Sequence, residues 1–249
     1  MQAPITAYCG NAPIPGSLVW NMDPLLIGCL AAVAALHVRS LRMGEPWRQS
    51  AALAGWLIVG LALVSPLCNL SVALFSARVG QHMLIALIGA PLIALGLPHL
   101  RARTGGLWAA SAAFGMLLWL WHTPLAYGAT FTSTLLYWTM HLSMLAAALW
   151  LWAALFSPAP GRIWQALGAS FFTTMHMSLL GALLTFSPRP LFPVHLLTTA
   201  PWGLSPLEDQ QIGGLIMWIP AGVLLMTYAI AAFGRELSRL EQASERAAL

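Results

Sequence analysis

Apolar residues run in long blocks from residue 24 to residue 233, each broken by a short polar or proline-bearing stretch. The blocks fall at 24–41, 47–65, 74–97, 106–122, 133–156, 163–186 and 208–233. Runs of roughly 17–25 apolar residues match a hydrocarbon core about 30 Å thick. Backbone groups in lipid must pair internally, so each block is expected to be a helix. The pattern predicts an all-α integral membrane protein, a bundle of about seven transmembrane helices. An outer segment, 1–23, precedes the bundle of 24–233, and a cytoplasmic tail, 234–249, follows it.

Local signals sharpen two of the starts. Asp23-Pro24 supplies an N-cap followed by proline at the first helical position. Ser205-Pro206-Leu207-Glu208 is a capping box, so the last helix should begin near Pro206. Gly181, Gly213 and Gly214 are expected to let helices approach closely. The stretch from Ser187 to Ser205 holds four prolines and Trp202, and should rest on the bundle as a cap.

Composition agrees: 59% of the 249 residues are hydrophobic and only 7% charged, against about 25% charged in a soluble domain. All eleven basic residues are Arg. Nine of them (Arg39, Arg42, Arg48, Arg101, Arg103, Arg162, Arg235, Arg239 and Arg246) fall on one expected side, and Arg78 and Arg189 on the other. Arginine gathers on the cytoplasmic side, which predicts an outer N-terminus and a cytoplasmic C-terminus. No basic stripe with interleaved aromatics supports nucleic-acid binding. Met1 to Ser17 do not read as a cleavable signal peptide, so the first span should act as its own insertion signal.

The candidate chemistry lies in one layer. His82, His122, His141 and His176 all fall in the outer half of the bilayer. His141 lies roughly 12 Å below the start of its helix and His176 roughly 20 Å up from the inner side, at 1.5 Å per residue. Met83 follows His82, Met140 and Met144 bracket His141, Met175 and Met177 flank His176, and Met217 lies in the last block. Imidazole with thioether suits copper, with thioether favouring Cu(I). Asp209 is expected in the same layer, orienting a histidine, binding a cation or stabilising its own first turn. The metal candidates are thus His82, His122, His141, His176, Met83, Met144, Asp209 and Met217. Methionine also fills apolar helices, and Met175 and Met177 cannot both share the face of His176. His37, His99 and His195 read as interface or solvated histidines. Cys9 and Cys68 fall in loops on one side, where either can add a soft ligand at the entrance, and Cys29 reads as a small buried residue. Two histidines on different helices can also ligate a haem iron, the alternative cofactor. No nucleophile–base pair, phosphate loop or paired carboxylate points to an enzyme.

Particular strings resemble a known family. Gln81-His82-Met83-Leu84, continuing to Gly89-Ala90-Pro91-Leu92 and Leu95-Gly96-Leu97-Pro98, resembles the third-helix signature of the multi-spanning CtaG family, assembly factors for bacterial cytochrome c oxidase. Trp121-His122-Thr123-Pro124, Met175-His176 with Leu180-Gly181, and the segment Glu208-Asp209-Gln210-Gln211-Ile212-Gly213-Gly214 resemble further family segments. The family pattern often carries a second His about one turn before the Gln-His pair, where this chain has Arg78. The resemblance implies a non-enzymatic role in the bacterial inner membrane, handling copper on the outer side. Implied partners are a haem–copper oxidase subunit or a periplasmic copper donor, within the lipid bilayer. The helix faces also admit a homo-oligomer.

Overall fold

The computed structural model describes residues 7–41, 45–97, 106–156 and 163–247. His99, Arg42, Arg101, Arg103 and Arg162 lie outside the described residues. Among the described residues the chain is helical and forms no named strand.

Helices lie over each of the expected blocks: α1 (Pro24–Ser40), α2 (Pro46–Val64), α4 (Phe75–Leu95), α5 (Leu107–Trp121), α7 (Thr134–Leu155), α8 (Ile163–Phe186) and α9 (Pro206–Ala247). Five of these, α2, α4, α7, α8 and α9, are long and apolar enough to cross a membrane. The other two, α1 and α5, are shorter apolar helices of 17 and 15 residues. Two further short helices, α3 (Pro66–Ala73) and α6 (Pro124–Ala129), were not expected. Each begins on a cap followed by proline: Ser65 accepts from the Leu67 amide, and Thr123 from Ala126.

The expected caps form. Asp23 accepts from the amides of Leu25 and Leu26. The Ser205 amide donates to Glu208 at 2.8 Å while the Glu208 amide donates to Ser205 Oγ at 3.2 Å. The last helix continues through residues 234–247 without a break. Gly181 and Gly214 bring α8 and α9 together, as expected. A Cβ on Gly214 would come within 2.6 Å of the Gly181 carbonyl oxygen.

Helix α4 is irregular in its middle. Leu84–Gly89 adopts a π register, in which the Ala90 amide reaches back to the Ile85 carbonyl. The next amide in that register would be residue 91, which is proline and has no N–H. The Ala86 carbonyl is therefore left over in the bundle interior, and the Trp152 indole N–H of α7 donates to it at 2.9 Å. A side chain thus satisfies the orphan that lipid cannot.

The stretch between α8 and α9 does rest on the bundle, with Phe192, His195 and Thr199 buried. His195, expected at an interface or in solvent, is buried because Tyr127 Oη lies 2.7 Å from its Nε2 and its Nδ1 lies 3.2 Å from the Ala73 carbonyl oxygen. Cys9 and Cys68 are bonded to each other, so neither is a free soft ligand. Asn69 holds the same segment, donating to the carbonyls of Cys9 and Asn11. Cys29 is exposed rather than buried, because α1 lies at the edge of the bundle with only Leu26 among its residues fully covered.

Candidate functional site

Three of the four layer histidines come together at the end of the bundle that carries the disulfide. His82 enters from the second turn of α4, His122 from the C-terminal cap of α5 and His141 from the N-terminal half of α7. The His82 ring lies 6.1 Å from that of His122 and 5.2 Å from that of His141, centre to centre. All three are at least 95% buried.

Their hydrogen bonding decides what they offer. His122 Nδ1 donates to the Leu118 carbonyl at 2.7 Å and His141 Nδ1 donates to the Tyr137 carbonyl at 3.0 Å. Only an N–H can pair with a carbonyl oxygen, so each ring is held with its Nε2 lone pair free. Neither Nε2 has a hydrogen-bond partner, and His82 has none on either nitrogen. Backbone-anchored Nδ1 with a free Nε2 is the arrangement that orients metal-binding imidazoles. Rings sharing one ion at N–metal distances of about 2.0–2.1 Å stand roughly 5–6.5 Å apart, a range that the His82–His122 and His82–His141 separations each meet. The nitrogens do not already converge: among the described residues no group of three His, Cys, Asp or Glu forms a ready metal cage. The His82 nitrogens are the ones with no hydrogen bond to hold them. The donor set fits a borderline or soft cation.

The remaining candidates go elsewhere. His176 accepts from the Trp119 indole at 3.1 Å and lies against Gly115 and Phe172, between α5 and α8. Depth along a helix axis does not fix direction around it, and His176 points away from the other three. Asp209 is buried, but its carboxylate accepts from the amides of Phe75 (2.6 Å) and Ser76 (3.1 Å) and from the Ser76 hydroxyl. It caps α4 from a distance of 133 residues in sequence, and its oxygens are spoken for. Neighbouring Gln210 fastens the covering loop, accepting from the Leu191 amide at 2.6 Å and donating to the Leu184 carbonyl at 3.1 Å. Met83 borders an apolar groove with Leu70, Leu74, Ile216 and Pro220, about 100° around α4 from His82. Met144 and Met217 are buried in the core.

Other residues belong to the same neighbourhood. The Tyr137 ring packs on His141 at 4.3 Å, and its hydroxyl lies 3.3 Å from Cys9 Sγ and 3.6 Å from Cys68 Sγ. The i, i+4 spacing of Tyr137 and His141 is the only sequence signal for this link. His141 also borders an apolar pocket between α1, α2 and α7, lined among others by Tyr8, Asp23, Cys29 and Trp138. Within that lining the Tyr8 hydroxyl donates to Asp23. That bond holds the Asp23 carboxyl below its ordinary range, while burial and the same carboxylate push Tyr8 up to about 12.

Comparison with curated proteins and with solved structures gives no match. The family model for the cytochrome c oxidase caa3 assembly factor matches residues 29–238, a span that contains all three clustered histidines, and the chain belongs to that family.

Proposed function

We propose that the protein binds Cu(I) between His82, His122 and His141 and passes it to a subunit of the oxidase whose assembly it serves. The proposal rests on one observation: three buried imidazoles brought together from α4, α7 and the C-terminal cap of α5, two of them held through Nδ1 with no protein partner on Nε2. Buried polar groups are ordinarily paired, and unpaired intramembrane ones tend to mark a site. Imidazole nitrogen is a ligand type suited to copper. In this reading the histidine end of the bundle faces outward, which would put the cluster on the side where copper is handled.

Each residue has a part. Leu118 and Tyr137 carbonyls fix the rings of His122 and His141, and His82 supplies the ring that no hydrogen bond holds.

The test is copper quantification on protein loaded under reducing conditions and then desalted. Wild type should retain copper in stoichiometric amount, and the double variant His82→Ala, His141→Ala should lose it. Equal copper in the two, or none in wild type, overturns the proposal. An optical spectrum of the same sample addresses the second reading, since bis-histidine haem would show a Soret band. If the protein acts only as a scaffold, the double variant would leave oxidase activity in cells unchanged.

A further inference from the structure

Arg78 stands one turn before His82 on α4 and is fully buried. A guanidinium stays charged in any protein environment and is costly to enclose without a counter-charge. The ion pairs among the described residues join Arg48 to Glu45 and Arg239 to Glu236, and neither involves Arg78. Asp209, which reaches the start of α4 from α9, spends its oxygens on Phe75 and Ser76.

What surrounds Arg78 treats its faces and its edge differently. Its guanidinium carbon lies 4.1 Å from the centre of the Phe131 ring, 5.5 Å from Tyr127 and 5.8 Å from Tyr137. These ring contacts favour a cation. One nitrogen, Nη1, donates to Thr130 Oγ1 at 2.9 Å. The other two, Nε and Nη2, have no partner. Those two nitrogens form a single edge of the guanidinium, the edge whose paired N–H groups match the two oxygens of a carboxylate. The neighbouring unpaired polar atoms, Gln81 Oε1 and the nitrogens of His82, cannot fill that edge with negative charge. Arg78 is thus a buried cation held by aromatic rings, with no protein group paired to its bidentate edge.

We propose that Arg78 binds a carboxylate through Nε and Nη2. The carboxylate comes either from a small free acid or from a side chain or C-terminus of the client protein. The inference does not depend on copper. It concerns the metal-free chain, so it can fail or hold separately from the histidine reading. If both hold, the carboxylate offsets a cation placed one turn away at His82.

The experiment is equilibrium dialysis of isotope-labelled formate against the purified full chain, freed of metal and kept in a sulfonate buffer without other carboxylic acids. Thermal unfolding is followed in parallel. Wild type should take up formate saturably, and its Tm should rise by about 5–10 °C at a hundredfold excess over Kd. Arg78→Gln should lose saturable uptake. Arg78→Lys, which keeps the charge but not the fork, should bind at least tenfold more weakly. Chloride should not reproduce the Tm rise. The proposal is overturned if wild type shows no saturable uptake, if Arg78→Gln binds as wild type does, or if chloride stabilises and formate does not. Should Arg78→Gln fail to fold, the lysine variant and the chloride arm still decide. Repeating the dialysis on the complex with the oxidase subunit separates the sources. Loss of formate uptake there assigns the site to a client carboxylate, and retained uptake assigns it to a free acid.

Discussion

Replacing Asp209 by Ala should unfasten the start of α4. The carboxylate accepts two backbone N–H groups, from Phe75 at 2.6 Å and Ser76 at 3.1 Å, together with the Ser76 hydroxyl. Hydrogen bonds to a charged group contribute about 1.5–3 kcal/mol each. The hydroxyl can turn to another acceptor, so two bonds are counted. The lower end of that range applies, since an N-cap deletion costs about 0.5–2 kcal/mol. The expected loss is about 3 kcal/mol, which for a chain of this size lowers Tm by about 6–12 °C. Asp209→Asn keeps one acceptor oxygen but turns an amide N–H₂ toward the helix amides, and should fall between Ala and wild type. Ser76→Ala should cost less than 1 kcal/mol, roughly one neutral hydrogen bond. The assay is tryptophan fluorescence of the detergent-solubilised protein during heating. A Tm for Asp209→Ala within 2 °C of wild type, together with weakened copper retention, would refute the capping role and return Asp209 to the ligand set.

Reducing the Cys9–Cys68 bond, or replacing both residues by Ala, opens a loop with a sequence separation of 59. Loop-closure entropy puts the loss at about 4 kcal/mol at most, since a membrane-held unfolded chain is already restricted. Thermal unfolding with and without a reductant measures it. Trp152→Phe leaves the Ala86 carbonyl unpaired and should cost about 1–2 kcal/mol, read as a lower unfolding temperature with an unchanged helical circular dichroism spectrum. Burial, reinforced by the Arg78 charge, holds the His195 imidazole down to about 3. Its ordinary value is 6.5, so the unfolded chain binds the proton first as pH falls, and stability drops from about pH 6.5 toward pH 3 at up to about 1.4 kcal/mol per pH unit. Limited proteolysis of the 187–205 stretch should accelerate below pH 6 in wild type and show a flatter pH profile in His195→Phe.

Much of the architecture was legible because its causes are local. Apolar block lengths place the helices, and Asp23-Pro24 and Ser205 with Glu208 mark starts from adjacent residues alone. The short helices α3 and α6 carry the same cap-and-proline signal in Ser65-Pro66 and Thr123-Pro124, but each is too short to leave an apolar block of its own. The disulfide and the Asp209 cap were not legible, since each joins residues that only the folded bundle brings together. The histidine layer was half legible. Counting residues along each axis gives height, and the rings of His122 and His141 do lie 6.1 and 5.2 Å from that of His82. It gives no azimuth, which is why His176 belongs to a different contact, with Trp119.

The π register of α4 has a consequence for how the protein can vary. A π turn takes up one residue more than an α turn over the same closure, so side chains before Leu84 and after Gly89 are phased separately around the axis. The first half of the helix aims Arg78 and His82 at the cluster, while the second half packs Ile93 and Ala94 into the bundle. One shaft therefore behaves as two, joined by an angular offset that the Trp152 indole holds in place. The chemistry at one end can be re-aimed by changing that offset while the packing at the other end keeps its own register.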